Sequence, residues 1–271
     1  MKVSIVVPCF NEEKTVPLFF DEVEKFKGAH EFEYLFIDDG SKDGTLAAIK
    51  KLASAYPYVR FVSFSRNFGK EAALYAGLQA STGDLVTVMD VDLQDPPELL
   101  PEMINRITTS DVDSVGTRRS TREGEPAIRS FFAKKFYQLI NKISDTEMVD
   151  GARDFRLMTR QMVDAVLELT EYNRFSKGLF SWVGFKTEYI SYENRERVAG
   201  ETSWSFWKLF NYSIDGIVNF SDAPLTLASF IGALSCVGSG IAILFIILRA
   251  LLFGDPTSGW PSMVSIFLFI G

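Results

Sequence analysis

Histidine and cysteine are scarce in this sequence of 271 residues. It has one histidine, His30, and two cysteines, Cys9 and Cys236. Two cysteines are too few for a disulfide framework and lack the spacing of a metal site, which favours a reducing compartment. Because His30 lies in a polar stretch typical of a surface, acid–base or metal chemistry in this protein has to depend on carboxylates.

A surplus of positive charge is also missing. The 28 Lys and Arg residues against 35 Asp and Glu residues give a net charge of −7. Such a balance predicts no nucleic-acid partner, because binding to phosphate backbones usually needs a basic surface. A Gly-x-Gly-x-x-Gly turn is absent after the first apolar run, which disfavours a dinucleotide-dependent dehydrogenase. That run is short and is followed at once by polar residues, so no signal peptide is expected.

Charged residues are absent from one long stretch, residues 225–248. As a helix these residues would extend roughly 36 Å, more than the hydrocarbon core of a bilayer at about 30 Å. A buried core helix is rarely apolar on all faces for this length, so we predict a first transmembrane helix at 223–253. A further apolar stretch, 260–271, is too short to span a bilayer. It is expected to be the truncated start of a second transmembrane helix.

The segment before the predicted membrane helix, 205–222, repeats apolar residues at helical spacing. With Trp204 and Trp207 at its start, the pattern predicts an amphipathic helix at the membrane interface. A helix packed on the preceding domain would have the same pattern. Nearly all Lys and Arg precede residue 223, so the tendency of basic residues to stay inside predicts a cytoplasmic large domain.

Short apolar runs alternate with amphipathic stretches in residues 1–204, which we expect to form one α/β domain. Strands are predicted at 3–7, 34–37, 59–64, 85–89 and 114–116. Helices are predicted at 15–26, 44–55 and 70–80. Apolar strands between helices indicate a mostly parallel sheet with helices on both faces. Such sheets bind ligands beyond the carboxyl ends of their strands, so a site is expected there.

Acidic residues follow two of the predicted strands. Asp38 and Asp39 end the second strand, where adjacent carboxylates would repel each other without a cation or hydrogen-bond donors. Asp90 and Asp92 follow the fourth, and their spacing puts both side chains on one side of an extended chain, with Gln94 continuing the alternation. Such oxygen ligands suit Mg²⁺ or Mn²⁺, which complete their shell with phosphates and water. We therefore predict a metal–diphosphate site here.

Seven segments, taken together and in order, resemble a known family. They are 6–13, 37–45, 65–71, 89–98, 151–158, 182–185 and 195–201. The sequence resembles family 2 glycosyltransferases of the GT-A fold, a Rossmann-like α/β architecture. Within that family it is most similar to the polyprenyl-phosphate glycosyltransferases, which include the dolichyl-phosphate mannose synthases. The two predicted membrane segments favour the bactoprenol glucosyltransferase branch.

The resemblance implies a role for each matched residue. Those implied to bind the nucleotide sugar are Pro8, Phe10, Asn11, Glu12, Asp39, Asp90, Val91 and Asp92. Asp90, Asp92 and Gln94 would hold the metal, and Asp92 and Asp154 would be the catalytic carboxylates. The arginines implied to contact donor or acceptor phosphates are Arg118, Arg129, Arg195 and Arg197. The family often has lysine where this chain has Ser203, so one expected cation is missing.

The implied reaction is an inverting transfer of a hexose, with UDP-glucose as the favoured donor, to undecaprenyl phosphate in a bacterial inner membrane. Phosphate esters have a second pKa near ~6, so the acceptor is largely dianionic at neutral pH and needs no strong base. Asp154 would orient the acceptor or stabilise charge on the sugar, unless it only pairs with Arg153 or Arg156. The family also implies a multi-pass homo-oligomer, with a tetramer as its size.

Other functions stay open on the sequence alone. GDP-mannose, UDP-galactose or an amino sugar could replace UDP-glucose as the donor. A processive polysaccharide synthase is disfavoured because a Gln-x-x-Arg-Trp motif is absent. A non-catalytic scaffold that binds sugar nucleotides would be favoured by loss of a metal carboxylate, yet Asp90 and Asp92 are both present. A transporter would need more than the two membrane segments predicted here.

Overall fold

The computed structural model describes residues 1–120, 127–144, 148–193, 206–254 and 259–270. The chain divides into two compact units, Met1–Phe220 and Ser221–Gly271. The predicted boundary between 204 and 205 falls outside the described residues. It therefore stays a prediction.

The first unit contains a mixed sheet of seven strands within the described residues. In chain order they are β1 (Lys2–Cys9), β2 (Glu31–Asp38), β3 (Val59–Ser63), β4 (Leu85–Val88), β5 (Ser114–Arg119), β6 (Ala152–Thr159) and β7 (Thr187–Tyr192). Their spatial order is β3-β2-β1-β4-β6-β5-β7. Strand β6 alone runs against its neighbours β4 and β5, and the other pairs are parallel.

Helices connect and cover these strands. In the first unit they are α1 (Thr15–Glu24), α2 (Thr45–Ala55), α3 (Lys70–Ala80), α4 (Leu100–Thr109), α5 (Ala127–Ile143), α6 (Arg160–Glu168), α7 (Ser176–Trp182) and α8 (Phe206–Phe220). The second unit contains α9 (Ala223–Phe253) and α10 (Trp260–Ile270).

Two hydrophobic cores lie on opposite faces of the sheet because successive side chains of a strand point to opposite sides. Ile5 and Val7 of β1 face one core, which also contains Phe19 of α1 and Met103 of α4. Val6 faces the other core with side chains of α3, α6 and α7. The predicted α/β sheet with helices on both faces is thus confirmed.

Helix α3 approaches β1 very closely at Gly77. A Cβ atom at this position would lie 2.2 Å from Cγ1 of Val6, so only glycine fits without a shift of the helix or the strand. The helix begins at Lys70, as predicted. This contact sets the distance between α3 and the centre of the sheet.

Strand β6 was not predicted from the sequence. Its segment contains Arg153, Asp154 and Arg156, and these charges hide the apolar pattern that indicates a strand. Two of the charged residues lie near its beginning, at the edge of the sheet, while Arg156 is 2% exposed. Its guanidinium group lies over the ring of Phe180, 4.1 Å from the centroid.

Helix α8 packs one face on the rest of the first unit. Ile217 and Phe220 contact a cluster that includes Phe175, and Asn219 donates a hydrogen bond of 2.6 Å to the carbonyl of Asn173. Val218 is 60% exposed on another face. The predicted amphipathic helix is present, while its position at a membrane interface stays a prediction.

In the second unit, α9 is long and apolar enough to cross a membrane, and none of its residues is buried. Among the described residues it is the single helix that meets this test. The shorter α10, with 11 residues, packs against α9. A second crossing therefore stays a prediction.

A buried carboxylate joins three parts of the sheet at the end opposite the strand-end acids. Glu33 of β2 is 4% exposed and accepts hydrogen bonds from Ser4 Oγ at 2.6 Å, Arg60 Nη1 at 2.8 Å and Thr82 N at 3.1 Å. Burial by itself would raise the pKa of Glu33, but these hydrogen bonds outweigh burial and lower the pKa to about 2. Folding therefore favours the ionised form.

We predict that Glu33→Gln destabilises the protein in a pH-dependent way. Because folding lowers the pKa, the stabilisation is complete above the unfolded value of about 4.3 and is lost as the pH falls towards 2. The variant should lose up to about 3 kcal/mol at pH 7 and much less at pH 3. Urea unfolding of the detergent-solubilised protein measures this difference, with the exposed Glu31→Gln as the control. An equal loss at both pH values would contradict the prediction.

Candidate active site

Carboxylates gather where the parallel strands end, as the sequence predicted. Asp38 ends β2, and Asp90 and Asp92 follow β4, its neighbour but one in the sheet. Asp38, Asp39 and Asp92 are each less than 5% exposed. Buried charges of one sign need donors or cations close by, so the partners of these groups define the site.

Asp154 reaches the same edge because β6 runs in the opposite direction. In the β4–β6 ladder Leu85 pairs with Thr159 and Val88 with Arg156. Continued by two residues, this register sets Asp154 opposite Asp90. The reversed strand thus begins where its neighbour ends, and it brings a carboxylate across from the first metal-ligand candidate.

Lys70 joins these two carboxylates. Its Nζ lies 2.6 Å from Oδ1 of Asp90 and 2.6 Å from Oδ2 of Asp154. Burial would lower the pKa of Lys70, but Asp154 and Asp90 raise it above the usual value. Burial would likewise raise the pKa of Asp154, but Lys70 and Lys177 hold it well below its usual range. The side chains of Lys70 and Asp154 are therefore both charged.

Asp154 does not form the salt bridge with Arg153 or Arg156 that the sequence left open as an alternative; within the described residues its ion-pair partner is Lys70. Its Oδ1 is buried, and among the described residues it has no hydrogen-bond partner. This oxygen therefore has unused hydrogen-bonding capacity.

Asp95 is held by two groups that the sequence analysis missed. Arg153 Nε donates to its Oδ1 at 2.9 Å, and the hydroxyl of Tyr192 donates to the same oxygen at 2.5 Å. Burial and the neighbouring Asp95 raise the pKa of Tyr192, which keeps its hydroxyl protonated. Arg153 also lies 4.0 Å from Oδ2 of Asp90, so it connects the Asp95 cluster to Asp90.

Main-chain and hydroxyl donors satisfy the adjacent acids that end β2. Asp38 accepts hydrogen bonds from Ser41 N at 3.1 Å and Ser63 Oγ at 2.8 Å. Asp39 accepts from the N–H groups of Phe68 at 2.6 Å and Gly69 at 2.9 Å. Burial raises the pKa of Asp39, and these two hydrogen bonds partly offset the effect. Asp39 therefore fixes the loop that leads into α3 and Lys70.

The loop after β1 is built by hydrogen bonds to the loop after β2. Asn11 Oδ1 accepts from Lys42 N at 2.9 Å, and Asn11 N donates to Ser41 Oγ at 3.0 Å. Asn11 has a positive φ of 58°, as does Leu93 at 57° in the loop after β4. Left-handed backbone of this kind is uncommon outside glycine and often occurs at functional sites. Pro8, Phe10 and Glu12 are partly exposed beside Asn11.

The predicted metal ligands fit a divalent cation in part. Asp92 accepts a hydrogen bond from Gln94 N at 3.1 Å, and Val91 between the two aspartates is buried. In the residues that the structure describes, no three His, Cys, Asp or Glu side chains converge on one point. A cation here would therefore rely on two carboxylates at most, with substrate phosphates and water completing its shell, which is how Mg²⁺ usually binds. Within the described part of the chain, two buried carboxylate oxygens of this site, Oδ1 of Asp154 and Oδ2 of Asp95, accept no hydrogen bond.

The predicted phosphate-binding arginines are only partly described. Arg118 is exposed on β5, and its Nε donates to Ser191 Oγ of β7 at 2.8 Å. Arg129 belongs to α5, but its side chain lies outside the described residues, as do Arg195, Arg197 and Ser203 entirely. Their roles stay predictions.

Lys70 is the residue that sequence reasoning should have found. It lies in the first turn of α3, where the helix dipole disfavours a cation. A lysine in this unfavourable position, in a helix that starts beside the carboxyl ends of the strands, indicates a carboxylate partner. Tyr192 and Arg153 gave no comparable signal, because their pairing depends on β6 and β7.

The chain is similar to known glycosyltransferases. The model of glycosyl transferase family 2 matches residues 4–167. A prophage bactoprenol glucosyl transferase homolog of Escherichia coli K12 is 42% identical over 273 residues, covering 100% of this chain and 89% of that protein. The bactoprenol glucosyl transferase of Shigella phage SfX is 43% identical over 273 residues, with coverage of 100% and 89%.

Solved structures share the fold. The glucosyl-3-phosphoglycerate synthase of Mycobacterium tuberculosis, in complex with Mn²⁺, UDP-glucose and phosphoglyceric acid, has a TM-score of 0.53 and 21% identity, covering 80% of this chain and 77% of that one. At this identity the likeness shows the fold alone. The chain belongs to glycosyl transferase family 2, as the extent of the family match and the full-length relatives establish.

We predict that Tyr192→Phe destabilises the protein by about 1–2 kcal/mol, because Asp95 is buried and would lose one of its two donors. Thermal unfolding of the full chain in detergent measures the loss. Tyr172→Phe is the matched control, since Tyr172 is 90% exposed. Equal midpoints for the two variants would show that the Asp95 hydrogen bond contributes nothing to stability.

Proposed function

We propose that the protein transfers glucose from UDP-glucose to undecaprenyl phosphate, with inversion at the anomeric carbon, and releases UDP. The names and the full-length similarity of the bactoprenol glucosyl transferases support this acceptor and this sugar. The observation that carries the proposal is the single ammonium of Lys70 between Asp90 and Asp154. It means that the carboxylate proposed for the metal and the one proposed for the reacting sugar share one site.

The proposed roles follow from position and chemistry. Asp90, Asp92 and Gln94 would hold Mg²⁺ or Mn²⁺, which would neutralise charge that develops on the leaving diphosphate. The relative solved with Mn²⁺ and UDP-glucose supports this choice of metal. The nucleotide would bind beside Pro8, Phe10, Asn11 and Glu12, in the loop that Ser41 and Lys42 support. Asp39 would contribute through the loop that it anchors as well as through direct contact.

Asp154 is suited to stabilise charge rather than to remove a proton. Lys70 keeps its carboxylate ionised, with a pKa well below the usual range, so it is a weak base. The proposed acceptor is already largely dianionic at neutral pH and needs no strong base. A fixed carboxylate near the anomeric carbon would instead stabilise the positive charge that develops on the sugar.

Membrane attachment follows from the proposed acceptor, whose chain lies in a bilayer. We propose that α9 is a transmembrane helix, that α10 belongs to a second crossing, and that α8 lies at the interface. The large domain would face the cytoplasm of a bacterium, where nucleotide sugars are made. We also propose that the protein is a homo-oligomer. Separately, the residues proposed to contact donor or acceptor phosphates are Arg118, Arg129, Arg195 and Arg197.

The reaction can be tested with membranes that contain the protein, undecaprenyl phosphate, Mg²⁺ or Mn²⁺ and radiolabelled sugar nucleotides. We expect label from UDP-glucose in the lipid fraction, and label lost on chelation with EDTA. Asp92→Asn should reduce transfer at least 100-fold, in the range seen when a group that stabilises developing charge is removed. Label from GDP-mannose, UDP-galactose or an amino-sugar donor would replace glucose with that sugar. Donor binding without transfer from any of them would favour a scaffold.

Asp154→Asn separates a chemical role from a structural one. We predict a fall in kcat of at least about 100-fold with little change in the Kd for UDP-glucose, because the carboxylate acts on charge that develops in the transition state. Asp164→Asn is the control, since Asp164 is an exposed carboxylate of α6. Full activity of Asp154→Asn would make Asp154 structural. NMR of the product would contradict inversion if the donor's anomeric configuration were retained.

A further inference from the structure

Lys70 occupies a position that the proposed metal would need. Its Nζ is 2.6 Å from Oδ1 of Asp90, within hydrogen-bond distance, and a divalent cation held by Asp90 would need a carboxylate oxygen of this kind. Only 25% of the Lys70 side chain is exposed, so most of its length is covered by the protein. Two cations on one carboxylate oxygen would repel each other strongly in such a half-buried site.

The second oxygen of Asp90, Oδ2, also faces a cation of the protein, so a metal ion would meet competition there as well. Arg153 Nη2 lies 4.0 Å from Oδ2, and the same guanidinium is held by its 2.9 Å hydrogen bond to Asp95. Both sides of the Asp90 carboxylate therefore face cations that belong to the protein. A divalent cation that binds Asp90 has to compete with one of them, and Lys70 makes the shorter contact.

Asp154 provides an ion-pair partner that Lys70 can keep when it leaves Asp90. Its Oδ2 is already 2.6 Å from Nζ, and its Oδ1 is buried and accepts no hydrogen bond from the residues that the structure describes. A small rotation of the lysine away from Asp90 would keep the ammonium on Oδ2 of Asp154. One of the two ion pairs of Lys70 would then be lost and the other kept.

We propose that Lys70 is a built-in counter-ion for Asp90, which a divalent cation displaces on binding and which then pairs with Asp154 alone. It would prevent repulsion between the two carboxylates before the metal arrives, and it would weaken metal binding in the absence of the donor. The diphosphate of the donor adds oxygen ligands, so metal and nucleotide sugar would bind most tightly together. Lys70 is in this sense a positioning residue, and the inference rests on the proposed metal site.

The test is Mn²⁺ binding by the full chain in detergent without any sugar nucleotide, measured from the electron paramagnetic resonance signal of free Mn²⁺. Lys70→Met and Lys70→Gln should bind Mn²⁺ about tenfold more tightly than wild type, the size expected when a charge-assisted hydrogen bond no longer competes. Lys70→Gln keeps a hydrogen-bond donor between the carboxylates and guards against misfolding of the methionine variant.

Two control variants separate displacement from a general effect of charge. Lys177→Met removes a positive charge that acts on Asp154. Lys2→Met removes a positive charge that is paired with Glu33 at 3.2 Å, at the end of the sheet opposite the candidate site. We expect Lys2→Met to match wild type and Lys177→Met to change the affinity less than threefold. A gain for Lys177→Met as large as for Lys70→Gln would overturn direct displacement, as would unchanged affinity in both Lys70 variants.

A measurement on wild type covers the case in which both Lys70 variants fail to fold. Mg²⁺ should speed modification of Lys70 by an amine-reactive reagent, because the amine would then be held by one carboxylate in place of two, and leave Lys2 unchanged. Peptide mass spectrometry measures both rates. Equal rates for Lys70 with and without Mg²⁺ would overturn the inference. None of these readouts needs a donor or a lipid, so failure of the transfer reaction would not affect them. Failure here would in turn leave transfer from UDP-glucose intact.

Discussion

Repulsion between carboxylates is the constraint on which this structure depends. The parallel strands and the reversed β6 bring six acids to one edge of the sheet, namely Asp38, Asp39, Asp90, Asp92, Asp95 and Asp154. The fold meets their charge in two different ways. Main-chain N–H groups and hydroxyls surround the deeply buried Asp38 and Asp39, and so determine the shape of the loops around them. The more accessible Asp90 and Asp154 form ion pairs with a side-chain cation instead.

This division matters for chemistry because the two kinds of partner differ in how easily they are exchanged. A main-chain donor can leave its acceptor only if the loop moves, so Asp38 and Asp39 keep these hydrogen bonds when a ligand binds through their remaining lone pairs. An ammonium on a flexible stem can be exchanged for another cation with little movement of the backbone. Exchange of one cation for another is thus expected at the carboxylates that follow β4 and begin β6. Asp95, fixed by Arg153 and Tyr192, lies between the two groups.

The sequence predicted the parts of the fold that depend on local pattern. Strands β1 to β5 and helices α1 to α3 were found because apolar runs and helical spacing are local signals, although several ends differ by one to three residues. Strand β6 was missed, since Arg153, Asp154 and Arg156 break the apolar run and their neutralisation depends on partners from other elements. The carboxylates of the site were found for the same local reason. Lys70 was not, because its two partners lie 20 and 84 residues away along the chain.

The position of Lys70 in the site depends on a glycine in the core, Gly77. Gly77 is seven positions after Lys70 in α3, or roughly 10 Å along the helix axis. The helix behaves as a rigid rod over that length, and its seat on Val6 fixes where its first turn lies. Any side chain larger than hydrogen at Gly77 would push α3 away from β1 and so move the ammonium of Lys70 away from Asp90 and Asp154. A search for inactive variants would therefore yield a buried, uncharged position that touches no ligand, and its phenotype would resemble loss of the lysine itself.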